Sequence, residues 1–598
     1  MRQQPKQLQP QRRCIPVVEN LEDLYPTKAE FKANESKHAQ MAETFESLYG
    51  TRPEFYVRAP GRVNLIGEHI DYEGYSVLPM AIAKEIVLAV SVPDAVVSDA
   101  TRTSTSTTST NAASTSPTDP PVLRLANLDS ARFPARILPI DPHATIDRET
   151  HDWSHYVWCG YKAAWLLTAP HPEEGEHSGE PRGDETRTGP PGLAMNILCG
   201  GNVPLAAGLS SSSALVVASA LASITATKVH QEKQNHGTER ASHRSSSTAM
   251  RRLVNHTLES ASVAELCRLG EHYIGTMGGG MDQAISCLGQ NGTARLVHFH
   301  PLRTEPVALP SNLIVVVADS KTKAEKAKSA KRDFNKRVVE CMLASKVLGH
   351  ALKLPDWKHM RTLQQVQFAY SRTVQGDALV SLEDMEALAG ALLHEHPYTP
   401  EDIQSRVSVS QLTDLFEGDD SSSAGAVSIQ DVLGHANDYR LNQRARHVYS
   451  EAARVLAFSA VCDRVADAQR RIATEDELRA LGRLANESQA SCRDLYGCSS
   501  AELDSLTAHA LDAGAYGSRL TGAGWGGSTV SFLREGTEDK FLRTLEEKFY
   551  QRRTTTSTDR GGGEECAPAV AAFACKPVCG ASVYRPSETT NNNRTTTE

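Results

Sequence analysis

Residues Arg58 to Tyr72 read Arg-Ala-Pro-Gly-Arg-Val-Asn-Leu-Ile-Gly-Glu-His-Ile-Asp-Tyr. An apolar run, Val63 to Ile66, stops at Gly67, and Glu68, His69 and Asp71 follow within four residues. Carboxylates accept paired hydrogen bonds and an imidazole can donate or accept, so this spacing suits a small ligand crowded with hydroxyls. Read alone, a solvated turn after a strand explains it better, since such turns are common.

A second segment, Gly208-Leu-Ser210-Ser211-Ser212-Ser213-Ala214, runs straight into an apolar stretch. A helix starting there leaves backbone N–H groups unpaired and carries positive partial charge, which binds phosphate. Capping needs one serine and does not explain four. The GxxxxGK[ST] pattern of a Walker loop is absent. In a third segment, Gly278-Gly-Gly-Met-Asp282-Gln, the aspartate is either an ordinary helix cap or a carboxylate able to take a proton from a bound substrate. In the fourth, Gly522, Gly524 and Gly527 formally satisfy GxGxxG, but the strand-like Thr529–Phe532 follows instead of a helix. That order predicts a glycine turn between strands and excludes a dinucleotide fingerprint.

Short apolar runs bounded by turn residues predict strands at Phe55–Ala59, Val63–Ile66, Ile86–Val92, Met195–Leu198, Ala294–Phe299, Leu313–Val317 and Thr529–Phe532. Length and apolar spacing predict helices at Leu209–Lys228, Val263–Ile274, Asn335–Leu352, Arg444–Leu456 and Ala501–Leu511. Both kinds recur along the chain, which predicts an α+β or α/β enzyme-like architecture. Pro301, Pro306 and Pro310 mark a lobe boundary.

The chain has 598 residues and a formal net charge of −9, with no global pull toward nucleic acid or anionic lipid. No run reaches the eighteen or so apolar residues a membrane span needs, and residues 1–14 lack a signal-peptide core. The twelve cysteines complete no zinc pattern and read as reduced thiols. A cytoplasmic protein is expected. Thirteen of the twenty residues 101–120 are Ser or Thr, a composition that cannot offset its ordering entropy. Polar insertions are expected near 94–120, 171–191, 230–256, 417–426 and 552–566, with polar tails at 1–40 and 585–598.

In order and wording the four segments resemble the galactokinase branch of the GHMP sugar and metabolite kinases. The resemblance continues through Trp153-Ser-His-Tyr, Arg337-Val-Val-Glu-Cys and Arg446-His-Val-Tyr-Ser-Glu-Ala, across residues 50–580. It implies an α+β, two-lobed fold, with lobes at 41–305 and 306–584 and the active site in the cleft between them. It implies transfer of phosphate from ATP, with Mg²⁺, to the anomeric hydroxyl of galactose. Asp282 would be the base and Arg62 its neighbour. Glu68, His69 and Asp71 would hold sugar hydroxyls, alongside Arg62 and Asp282. Gly208, Ser210 and Ser211 would cradle phosphates, with Ser212 and Glu271 as Mg²⁺ ligands. Trp153 would stack on adenine and Lys326 would touch the nucleotide. A monomer binding only sugar and nucleotide, without nucleic acid or membrane, is expected.

Two alternatives stay open: an N-acetylgalactosamine kinase, toward which Phe334 tilts and from which Glu73 tilts back, and a galactose sensor without turnover. Ala206 stands where many relatives have Gly, and Glu325 precedes Lys326 where relatives often carry Asn or Gln.

Overall fold

The computed structural model describes residues 13–93, 122–166, 193–236, 259–322, 331–416, 424–551 and 571–587, apart from positions 26, 142, 143, 149, 151, 375, 377 and 469. Most of each expected insertion, and Lys326, lie outside the described residues. The exceptions are residues 230–236 and 424–426, which are helical.

The first sheet has seven strands in the order β1-β13-β2-β3-β6-β4-β5. They are β1 (Val17–Val18), β2 (Phe55–Asn64), β3 (Pro79–Ser91), β4 (Val122–Asn127), β5 (Arg136–Pro139), β6 (Met195–Gly201) and, from the far end of the chain, β13 (Ser582–Tyr584). A hairpin of β7 (Ala294–His298) and β8 (Arg303–Val307) follows. The second sheet, β10-β11-β9-β12, is antiparallel throughout and uses β9 (Leu313–Asp319), β10 (Gly517–Thr521), β11 (Ser528–Arg534) and β12 (Ala572–Cys575). Two separate sheets with flanking helices make the fold α+β, as the sequence predicts. The last strand departs from the expected boundary, because β13 pairs with β2 and not with the second sheet.

The helices flanking the first sheet are α1 (Lys28–Tyr49), α2 (Ser154–Leu166), α3 (Ser211–His236), α4 (Ser260–Glu271) and α5 (Met281–Leu288). The later helices are α6 (Lys331–Ala351), α7 (Leu363–Val374), α8 (Leu382–Leu392), α9 (Pro400–Val407), α10 (Ala424–His435), α11 (Leu441–Asp467), α12 (Glu475–Ser491), α13 (Ala501–Asp512) and α14 (Glu538–Leu545), of which α12, α13 and α14 pack on the second sheet. Helix α1 starts inside the stretch expected as a polar tail. A capping box between Thr27 and Glu30 starts it, and His38, Met41 and Phe45, spaced three and four apart, turn one face inward. Glu85 then anchors this N-terminal region, accepting from the Tyr25 hydroxyl at 2.8 Å and Lys37 at 3.1 Å, as well as from Arg58.

Helix α3 is apolar on every side, with Leu215, Val216, Val217, Leu221 and Ile224 all buried. Its Ser211–Gln234 stretch is long and apolar enough to cross a membrane by composition, yet 83% of that window is buried inside the protein. It is the core helix packed on α2, β2 and β3.

Candidate active site

Strand β2 runs unbroken from Phe55 to Asn64 where the sequence predicts two strands, and its register shifts between Pro60 and Arg62. Proline has no N–H for the ladder, so the strand bulges there. The shift turns Arg62 toward the serine-rich loop. Its backbone N–H donates to the Leu209 carbonyl at 3.2 Å and its guanidinium to the Gly208 carbonyl.

That loop rests on the glycine turn between β10 and β11, which the sequence predicts. Gly208 (φ +71°) and Gly522 (φ +89°) touch backbone to backbone: a Cβ on Gly208 would lie 2.6 Å from the Thr521 carbonyl oxygen, and one on Gly522 would lie 2.5 Å from the Gly208 oxygen. Only glycine fits either position. Ala206 adopts φ +53°, and Ser210 φ +59°. The alanine that departs from relatives therefore keeps the left-handed backbone a glycine would take, with local strain of about 1–2 kcal/mol.

Asp282 is not a helix cap. The N-cap of α5 is Gly280, and Asp282 sits in the first turn with its carboxylate aimed outward. Arg62 Nε donates to Oδ1 at 2.7 Å and Ser210 Oγ to Oδ2 at 2.5 Å. The arginine side chain is 3% exposed and the aspartate 25%, so the pair is held from behind while the carboxylate stays reachable from the cleft. The first, second and third segments thus converge on one carboxylate.

Glu68, His69 and Asp71 line the same cleft. Glu68 accepts from the Gly522 N–H at 2.7 Å and faces Arg519 at 3.6 Å; burial pushes its carboxyl up, while Arg519 and Arg62 pull it down. His69 Nε2 lies 2.9 Å from the Ala523 carbonyl, which only accepts, so Nε2 carries the proton. Nδ1 then accepts from the Tyr72 hydroxyl at 2.9 Å, and Tyr496 donates to Tyr72 at 2.5 Å. Burial lowers the imidazole to about 3, so it is neutral. His69 lines the site and braces the glycine turn through these two contacts. Asp71 is pushed up to about 6, first by burial and then by the negative charge of Asp282, while the Met281 N–H at 3.3 Å opposes the shift.

At the other end of the cleft, Ser212 and Ser213 in the first turn of α3 face Glu271, the last residue of α4. Ser211 opens the helix beside them and is not part of the lining. Ser213 Oγ donates to Glu271 at 2.9 Å, and Gln283 Nε2 donates to the same carboxylate. Among the described residues no group of three or more His, Cys, Asp or Glu could enclose a metal. One carboxylate with hydroxyls is nevertheless the hard-oxygen donor set that suits Mg²⁺, which commonly takes its remaining ligands from phosphate and water.

Residues 43–92 match the model of the galactokinase galactose-binding signature, and residues 473–551 that of the GHMP kinase C-terminal family. The galactokinase of Dictyostelium discoideum is 32% identical over 549 residues, covering 90% of this chain and 92% of that protein. The chain belongs to the galactokinase family. The galactokinase of Saccharomyces cerevisiae is 33% identical, with 88% and 91% covered. A Lactococcus lactis galactokinase structure, solved with galactose, shares the fold: TM-score 0.55 and 19% identity, over 91% of this chain and 99% of that one.

The two expected nucleotide contacts are not among the residues that line this galactokinase-family cleft. Trp153 does not line it: its indole N–H donates to the Pro134 carbonyl at 3.1 Å and its ring meets Phe133 edge-on. Tyr156, three residues on, does line it, as do His155 and Arg148. A helix starting at Ser154 places Tyr156 inside its first turn, a cue the sequence held once α2 was recognised. Lys326 lies outside the described residues. Phe334 lines the cleft and packs 5.4 Å from the His69 ring.

Proposed function

We propose that this chain transfers the terminal phosphate of MgATP to the anomeric hydroxyl of galactose, with Asp282 as base. The observation that carries this reading is the convergence of Arg62 and Ser210 on the Asp282 carboxylate, between a hydroxyl-binding end and a helix N-terminus. The C1 oxygen attacks the terminal phosphorus, its proton passes to Asp282, and the bond between the terminal phosphorus and the bridging oxygen breaks to release ADP. Arg62 orients the carboxylate through its hydrogen bond and faces the charge that develops. Glu68 and Asp71 supply acceptors for sugar hydroxyls, while Gly208 and Ser210 to Ser212 supply the phosphate loop. Glu271 and Ser212 would hold Mg²⁺, which when bound neutralises phosphate charge. Both the serine loop and the Asp282–Arg62 pair are intact, which supports turnover over a silent sensor. The test is ADP release with galactose and with N-acetylgalactosamine as competing acceptors, and phosphorus NMR of the product. ADP release with neither sugar, or phosphate on an oxygen other than O1, would refute the proposal.

Two further outcomes follow from the geometry. Gly208→Ala cannot keep the loop seated, because its methyl meets backbone at Thr521. The KM for ATP is expected to rise about tenfold or more, the scale on which small misplacement is felt, with galactose binding within a factor of two. Sugar affinity should also depend on pH. Ionised, Asp71 accepts hydroxyl hydrogen bonds through both oxygens, whereas protonation turns one of them into a donor; its carboxyl sits at about 6 instead of the ordinary 3.8. Calorimetric galactose affinity is expected to weaken as pH falls through 6. In Asp282→Asn, which removes the neighbouring charge, the weakening should begin at lower pH. The stability sign is opposite: ionising Asp71 destabilises the folded state as pH rises between these two values.

A further inference from the structure

Gln283 is adjacent to Asp282 in the first turn of α5 and lines the same cleft, yet its side chain serves a different partner. It is 5% exposed, and its amide donates to Oε2 of Glu271. Ser213, in the first turn of α3, donates to the same oxygen at 2.9 Å and to Oε1 at 3.3 Å. Two neutral donors from two different helices therefore grip one carboxylate at the end of a third helix. Neither donor is needed to cap its own helix, since Gln283 and Ser213 both lie inside the first turn and beyond the cap position. Neutral donors orient a carboxylate without cancelling its charge, which a lysine or arginine partner would do.

We propose that Gln283 and Ser213 are positioning residues that fix the Glu271 carboxylate for Mg²⁺ and lock it to the Asp282 side of the site. This rests on the phosphotransfer reading above. Because Asp282 and Gln283 are consecutive on one rigid turn, a shift that moves the base also moves the grip on Glu271. The charge-bearing group at the phosphate end and the proton acceptor at the sugar end are thereby held at a fixed separation. Ser213 ties the same carboxylate to the helix that begins the phosphate loop, closing a triangle of α3, α4 and α5.

The experiment compares calorimetric binding of MgADP with that of ADP in excess chelator, using the full-length protein and its Gln283→Met, Ser213→Ala and Ser213→Thr variants. The wild type is expected to favour MgADP. Gln283→Met and Ser213→Ala should cut that preference about 10- to 100-fold, the usual cost of losing a partner behind a metal ligand. Metal-free ADP and galactose should bind within a factor of two of wild type, and Ser213→Thr, which keeps the hydroxyl, should restore the preference. The magnesium concentration for half-maximal turnover should rise in step. An unchanged preference in both deletion variants overturns the proposal. So does an equal loss of metal-free ADP and galactose binding, which marks general structural damage, or a wild type that binds both forms equally. If Gln283→Met fails to fold, Ser213→Ala decides alone. Failure of galactose to be phosphorylated by the wild type would refute the substrate assignment, while the ratio of MgADP to ADP binding still tests the grip.

Discussion

Asp282→Asn is expected to lower kcat about 10²- to 10⁴-fold, the range that loss of a positioned general base covers, while galactose still binds. The amide keeps the size of the carboxylate and can still accept from Arg62 or Ser210, which lie 2.7 and 2.5 Å away in the native protein. It cannot take a proton from the sugar. Rapid-quench measurement of a single turnover, together with calorimetric galactose binding, separates the two effects. Turnover within tenfold of wild type would remove Asp282 from the mechanism. Loss of galactose binding in step with kcat would instead make it a binding residue.

Arg519→Met is expected to destabilise the protein by about 3–5 kcal/mol, because it strands buried carboxylates without their countercharge. Arg519 is fully buried and lies 3.6 Å from Glu68 and 3.8 Å from Glu451. Its Nε donates to Ser488 at 3.0 Å and Nη1 to the Asn64 carbonyl at 3.2 Å. Glu451 also accepts from the Gly67 N–H at 2.9 Å, Ser488 Oγ at 2.7 Å and Arg454 at 2.8 Å, so removing one cation leaves the others to carry a buried charge. Arg454 and Arg519 outweigh burial and hold Glu451 down at about 2. A lowered carboxyl stabilises the fold at neutral pH, and that contribution is lost as pH falls from about 4.5 toward 2. Urea unfolding at pH 7 checks the prediction. Arg493→Met serves as a control: its pair with Asp494 is about half exposed on both sides, and such pairs are worth about 0–1 kcal/mol. Equal effects from the two substitutions would refute the account.

The chemistry of the site was more legible in the sequence than its scaffolding. Arg62, Asp71, Asp282, Ser212 and Glu271 are short-range signals, each set in a distinctive local string, and the structure brings them into one cleft. The surroundings of His69 are not legible from its neighbours in sequence, Glu68 and Asp71, which are polar. In space it is enclosed by Tyr72, Phe334, Tyr496 and Trp525, three of them hundreds of residues away. That Tyr156 lines the cleft was hidden because the start of α2 at Ser154 was not recognised from the sequence. The strand pairing of Ser582–Tyr584 with Tyr56–Arg58 has a sequence separation that no local pattern encodes. Helix α1 was missed because its apolar face is only three residues wide in a charged segment, so composition hid periodicity.

Strand β1 meets the first sheet only through β13, and Val583 donates to the Pro16 carbonyl at 2.9 Å. A ribosome delivers the first of these partners long before the second. Until residues 582–584 emerge, β1 has no edge to join and the open side of β2 stays unpaired. Nascent chains halted before that point should therefore expose a sticky strand to chaperones, and deletion of residues 582–584 should harm yield far more than their distance from the cleft suggests.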